Sequence, residues 1–259
     1  MNRNLKKIKL MTKHTINSSI LLVLLFIGFN SQSQDINGKI TYKGVVKQTF
    51  VDSAVAAIKK EKISMSYKKD IIYAMENAHP DEFVLSFKKD ESYYYKEPTL
   101  EKNIDLMGSR AGSSPYYVNK TLNKTIQVSS VLGNIDKIPL EWEITNKTKK
   151  IGKYTCRQAK TTEKIYSRNG YFLYNKIIAW FAPDIPISFG PKNYNGLPGL
   201  ILQIDYKEFT LTAIKINLNI KEKDLEIKRV DDIDKLVSEK ESHKRIEEIM
   251  SDGEKMYKN

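Results

Sequence analysis

Alternation in period two runs through most of this chain and constrains its fold more than any other feature. Ile36, Gly38, Ile40 and Tyr42 share one side of an extended segment, with polar residues mostly between them. Phe83, Leu85 and Phe87 alternate with Val84, Ser86 and Lys88, and a Lys-Lys-Asp-Glu turn then leads into residues 92–96. That pattern predicts a hairpin, because successive side chains of a strand point to opposite faces. Further short strands are expected at 116–120, 125–131, 140–145, 153–161, 171–181, 200–206 and 209–216. Turn signals recur about every 8–12 residues, a spacing that favours antiparallel β architecture over βαβ units. The 15 tyrosines and 9 phenylalanines suit half-buried pleated surfaces better than helices.

Helix signals are few. Residues 54–62 and 68–78 are expected to form short helices, with Ile71, Ile72 and Met75 on one side of the second. A helix is also expected over 231–250, opened by Asp231 and Asp232 at its positive end. Its apolar stripe changes face. Ile233, Leu236 and Val237 lie on one side, whereas Ile246, Ile249 and Met250 lie nearly opposite. A break near Ser242 or His243, or docking of the first half alone, resolves that conflict.

The chain begins with a three-part segment. Arg3, Lys6, Lys7, Lys9 and Lys13 form a basic stretch without an acid, residues 20–29 are apolar, and Ser31-Gln32-Ser33 is a small-x-small site. This is the order of a secretory signal peptide, expected over 1–33. The apolar run is short of the ~20 residues a spanning helix needs, and no second long apolar run follows. The expectation is an exported protein of the periplasm or cell envelope, with no transmembrane span after cleavage. Five basic residues of the +12 net charge lie in the leader, leaving +7. Residues 221–259 carry 10 basic and 12 acidic side chains, so residues 34–220 hold +9. A basic body suits anionic partners in general, but its lysines are dispersed and export argues against nucleic acid. The expected fold is mainly β (α+β): a curved or partly closed antiparallel sheet with short packed helices over 34–220, carrying a signature motif at 196–201, and a charged helical extension over 221–259.

Catalytic patterns are sparse. One cysteine excludes an intrachain disulfide framework and a cysteine-built zinc site. Cys156 stands in an alternating strand beside Tyr154, away from His79 and His243, which marks it as a small core residue. G-x-S-x-G, H-E-x-x-H and a phosphate-cradling glycine loop do not occur. No cofactor is implied.

The densest pattern lies between 140 and 216. Trp142 and Ile144 come first, then Ile151, Tyr154, Cys156 and Ala159. Ala179-Trp180-Phe181, Ile185-Pro186 and Gly190-Pro191 follow, and Gly196-Leu197-Pro198-Gly199-Leu200-Ile201 closes the series. In this order the blocks resemble the GLPGLI family of exported Bacteroidota proteins, which has no settled biochemical function. Physically, Pro198 fixes its own φ and extends Leu197, while Gly196 and Gly199 permit positive φ or close backbone approach. The expected result is a bend at the entry to a buried strand from Leu200, acting through structure.

The functional expectation is a non-enzymatic envelope protein that binds an apolar, peptidic or lipidic ligand, or an outer-membrane partner. Trp180, Asp184, Lys192, Tyr194 and Asn195 form the candidate binding surface, with Lys192 and Asn195 exposed at the bend. A second reading is a hydrolase using Asp184 and an unidentified second carboxylate. A third is a structural subunit crosslinked through Cys156.

Overall fold

The computed structural model describes residues 36–98, 107–167 and 169–258, with side chains described as far as residue 251. The expected signal peptide lies outside the described residues. Residues from Ile36 onward form one compact unit.

Its framework is one twelve-stranded sheet. In chain order the strands are β1 (Gly38–Val46), β2 (Asp81–Lys88), β3 (Glu91–Lys96), β4 (Tyr116–Asn119), β5 (Lys124–Gln127), β6 (Ile135–Asp136), β7 (Glu143–Ile151), β8 (Tyr154–Tyr166), β9 (Phe172–Ala182), β10 (Leu200–Asp205), β11 (Phe209–Leu218) and β12 (Val237–Ser238). Their order across the sheet is β12-β6-β5-β4-β3-β2-β1-β11-β10-β9-β8-β7. Every neighbouring pair is antiparallel except the short β12–β6 pair. The sheet is mainly antiparallel and does not close by hydrogen bonds, so β12 and β7 are its two ends.

The alternation read in the sequence becomes burial. Ile40, Tyr42, Phe83, Leu85 and Phe87 lose all solvent contact on one face of β1 and β2. Phe181, Ala179, Leu200, Leu202, Ile204 and Leu211 continue that core through β9, β10 and β11. The Tyr42 hydroxyl donates to the Ile201 carbonyl at 2.6 Å and spans the strand between them. A buried hydroxyl without a partner costs about 1–3 kcal/mol, so this bond fixes the tyrosine as well as filling space.

Among the described residues, three α-helices accompany the sheet. α1 (Gln48–Lys60) buries Val51 and Val55, one turn apart on one side. α2 (Met65–Glu76) starts where the Ser64 hydroxyl accepts the Tyr67 amide. Both begin earlier in the chain than the apolar spacing alone indicates. α3 (Glu239–Lys258) is the C-terminal helix.

The expected helix over 231–250 is corrected in its first half. Val237 is buried and pairs with Ile135, and its amide donates to Asn134. Ser238 then caps α3 by accepting the Glu241 amide at 3.2 Å. Ser238-Glu239-Lys240-Glu241 has the spacing of a capping box. The chain breaks at 237–238, ahead of the positions near Ser242 where the stripe changes face. Upstream, residues 221–236 lie across the outer face of β3–β5. Ile227, Val230 and Leu236 cover Tyr93, Tyr117 and Ile126. Arg229 grips Glu91 with two bonds of 2.8 and 2.7 Å, and Tyr117 adds a third at 2.6 Å. The Arg229 guanidinium, first among the causes, holds the Glu91 carboxyl below its usual range.

α3 also bridges strands near opposite ends of the sheet, β6 and the β8–β9 hairpin, so the open sheet curves. Near β6 it offers Glu239 to Lys137 at 2.5 Å, and Arg245 to the Leu132 carbonyl at 2.8 Å. Near the β8–β9 hairpin, His243 stacks on Tyr166 at 4.8 Å and Glu247 accepts the Tyr166 hydroxyl.

Candidate functional site

The signature residues sit in the segment between β9 and β10. Asp184 is exposed on the turn that leaves β9. The chain then runs inside the curve of the sheet until Gly199 delivers it to β10. Gly196 has φ +88° and Gly199 has φ +153°. A Cβ at Gly199 would stand 2.4 Å from the Ala182 carbonyl oxygen, so the backbone of β9 fills the space a side chain needs. At Gly196 space is open and only the conformation excludes a side chain. Four amides of the bend are hydrogen-bonded, Gly199 donating to Leu197 at 2.8 Å. Gly196, Leu200 and Ile201 donate to Ser188, Ile185 and Phe189 at 2.9, 2.9 and 3.0 Å. Leu197, Leu200 and Ile201 are completely or almost completely buried. Pro198 is exposed, as a residue without an amide donor can be at no cost.

The segment makes contacts across the whole interior. Phe189 meets Phe87 of β2 with ring centres 6.1 Å apart, and Lys120 lies 4.1 Å above the Phe189 ring. Asn195 donates to the Thr125 hydroxyl of β5 at 3.1 Å and accepts the Trp142 indole N–H at 2.9 Å through its carbonyl. On β8, Glu163 is buried and receives Asn193 Nδ2 and the Tyr194 hydroxyl, each at 3.0 Å. Asn193 Oδ1 has no hydrogen-bond partner. Burial raises the pKa of Tyr194 and Tyr116 well beyond the ordinary phenol value, and raises that of Tyr206 as well. Lys192 is half-buried with φ +58°, its ammonium 5.4 Å from the Phe209 ring centre. Desolvation, opposed by Glu163, lowers its pKa.

The five residues expected to share a binding surface are thus distributed over three places. Tyr194 has no exposure and belongs to the core, because its ring packs edge-on to Trp142 and its hydroxyl serves Glu163. Lys192 and Asn195, expected to be exposed, are half-buried by the same inward course of the segment. Trp180 lies with Lys149, Gln203 and Asp205: Lys149 stands 4.3 Å above its ring and its indole donates to Asp205. Asp184 remains on the surface turn. Cys156 is fully buried, and burial pushes its thiol up to about 11. A thiol so placed has neither the exposure nor the ionisation that crosslinking between chains requires.

Two open grooves flank β9. The larger, of about 690 Å³, is lined by Glu141, Trp142, Glu143, Lys160, Thr161, Thr162, Lys176, Ile177 and Ile178. It lies where β8 outruns its neighbour. β7 pairs with β8 only as far as Lys160, whereas β9 follows it to Tyr166. Among the described residues, no strand pairs with residues 161–166 on the β7 side. The second groove, of about 420 Å³, carries Lys47, Lys176, Lys207, Tyr174 and Tyr206 among its walls.

Lys160, Glu163 and Lys176 were not singled out by the sequence patterns. A signal for Glu163 exists. Counting from Ala159 in steps of two gives Thr161, Glu163 and Ile165, which places an acid at an inward position. The grooves have no such signal, because they depend on where one strand stops beside another.

A family model described as a protein of unknown function (Porph_ging) matches residues 172–203. The match runs from the start of β9 through the inner segment and the bend into β10, and so includes Gly196 to Ile201. This chain is similar to that family over those residues, which is compatible with the GLPGLI resemblance. No curated protein matches. The solved structure of PNGF-II in a C2 space group aligns with 82% of this chain at 16% identity and a TM-score of 0.44. This chain spans about a third of that one's length, 33%.

Proposed function

We propose that this chain is an exported cell-envelope protein that binds a peptidic ligand without transforming it. The groove at the open edge of β8 carries this reading. An unpaired strand edge presents a row of backbone donors and acceptors, and an extended peptide satisfies them by adding a strand. Trp142 supplies an aromatic wall and Ile178 an apolar patch, and the lining carries both signs of charge, Lys160 and Lys176 with Glu141 and Glu143. Mixed charges beside an apolar patch suit a peptide better than a purely apolar ligand. The leader over residues 1–33 supports export, and among the described residues no helix is long and apolar enough to cross a membrane. The hydrolase reading loses its motivation, since Asp184 lies on an exposed turn outside both grooves.

The test is selection of extended peptides from a random library by the chain beginning at residue 34. The expected outcome is enrichment of β-branched sequences whose binding changes when Lys160 and Lys176 are both replaced by Glu. Failure to enrich any peptide, or enrichment indifferent to those two charges, contradicts the proposal.

A further inference from the structure

The far end of the β8–β9 hairpin departs from the pattern of the rest of the sheet. On the other strands exposed apolar side chains occur singly, as Val45, Ile144 and Ile214 do. Here four consecutive residues, Tyr171, Phe172, Leu173 and Tyr174, are 52%, 40%, 41% and 66% exposed. They include both faces of the hairpin. Phe172 and Tyr174 lie opposite Tyr166 and Lys164, while Leu173 lies opposite Ile165 on the other face. The hairpin is thus apolar and exposed on both faces beside its turn. It has no core to cover, and large aromatic groups held in water there give no stability.

Its last pair before the turn is held by α3. Phe172 packs edge-on against Tyr166 at 5.0 Å and against His243 of α3 at 5.4 Å, with Lys164 3.9 Å above its ring. The remaining three residues point free of these contacts. The surrounding charge is mostly of one sign: Lys164 on the hairpin, and Lys47, Lys176 and Lys207 in the groove that Tyr174 helps to line. The acids nearby are engaged, Glu247 with Tyr166, and Asp205 with Trp180, Gln203 and Thr210.

We infer that this hairpin end docks on an anionic lipid surface. Tyr171, Leu173 and Tyr174 enter the boundary between headgroups and acyl chains, and the ring of lysines meets lipid phosphates. Tyrosine suits that depth, because its ring is apolar and its hydroxyl stays among the headgroups. Apolar insertion and attraction to anionic lipid reinforce one another, and each alone gives weak, reversible attachment. This surface shares only Lys176 with the peptide groove and stands or falls separately from it.

The experiment is co-sedimentation of residues 34–259 with vesicles of phosphatidylglycerol and phosphatidylcholine in equal parts, against phosphatidylcholine alone. The chain is expected to sediment with the mixed vesicles only, and less as salt rises. Replacing Leu173 and Tyr174 together by Ser, both exposed, is expected to weaken binding about tenfold or more while the melting temperature stays unchanged. Lys164→Glu with Lys207→Glu is expected to do the same through charge. No binding to mixed vesicles overturns the inference. So does binding that survives the Ser pair, which would reduce the contact to attraction by dispersed surface lysines. A Ser pair that instead abolishes self-association of the lipid-free chain would also overturn it, assigning the hairpin to contacts between copies.

Discussion

Gly199, Glu163 and Cys156 show how differently single residues contribute here. At Gly199 the backbone oxygen of Ala182 occupies the position of a Cβ, and φ is +153°. Gly199→Val therefore adds a clash to a strain of about 1–3 kcal/mol. Gly196→Val, with open space around it, meets the strain alone. Thermal melting should rank them parent, Gly196→Val, Gly199→Val, with the last lower by roughly 5 °C or more for a domain of this size. Equal melting of all three would remove the steric account of the bend. Lys192 moves the other way. Its folded-state pKa lies below the unfolded value, so the fold binds fewer protons there than the unfolded chain does. Its cost to stability is largest below the folded-state pKa and declines as pH rises through it toward the unfolded one. Lys192→Met should then match or exceed the parent in stability at neutral pH, as thermal melting can show. Cys156 should resist a thiol reagent until the protein unfolds, because its sulfur is buried and its pKa is raised. Modification at the rate of a free thiol in the native protein would contradict its placement.

Elements were legible in the sequence to the extent that their periodicity was local. β1 and β11 announce themselves by alternation, since each has one face on the core, while β2, β3 and β10 are buried on both faces over much of their length. β7 does not announce itself. Its residues are mostly exposed, Lys147, Lys149 and Lys150 stand among them, and a register shift separates Ile144 from Thr148. Those are the devices that keep an edge from pairing further, and they erase the apolar pattern from which a strand is read. The same logic explains the C-terminal segment. Only tertiary contact with Ile135 makes Val237 a strand residue rather than the first turn of a helix. With Ser238 as the cap, Ser238→Ala should cost about 0.5–2 kcal/mol, read by denaturant unfolding, and should loosen α3 first. If stability is unchanged, the helix is not set by that hydroxyl.

At the scale of the molecule, an open sheet is held in a curve by two bridges that no local pattern shows. One is α3, between β6 and the β8–β9 hairpin. The other is the inner segment, which joins β2, β5 and β8 through Phe189, Asn195, Asn193 and Tyr194. The signature thus lies in the segment that joins these strands, and the surfaces proposed for binding lie at the periphery, along the free edge of β8 and at the hairpin end. That division is the central claim. Amide hydrogen exchange of the unliganded chain tests it in one experiment, because protection reports how rarely each segment opens. The amides of Gly196, Leu200 and Ile201 should exchange as slowly as those of β1, β2 and β11, while residues 161–166 and 171–174 exchange much faster. Fast exchange at 196–201, at the rate of the hairpin end, would make the signature a mobile binding loop and contradict its role as scaffold.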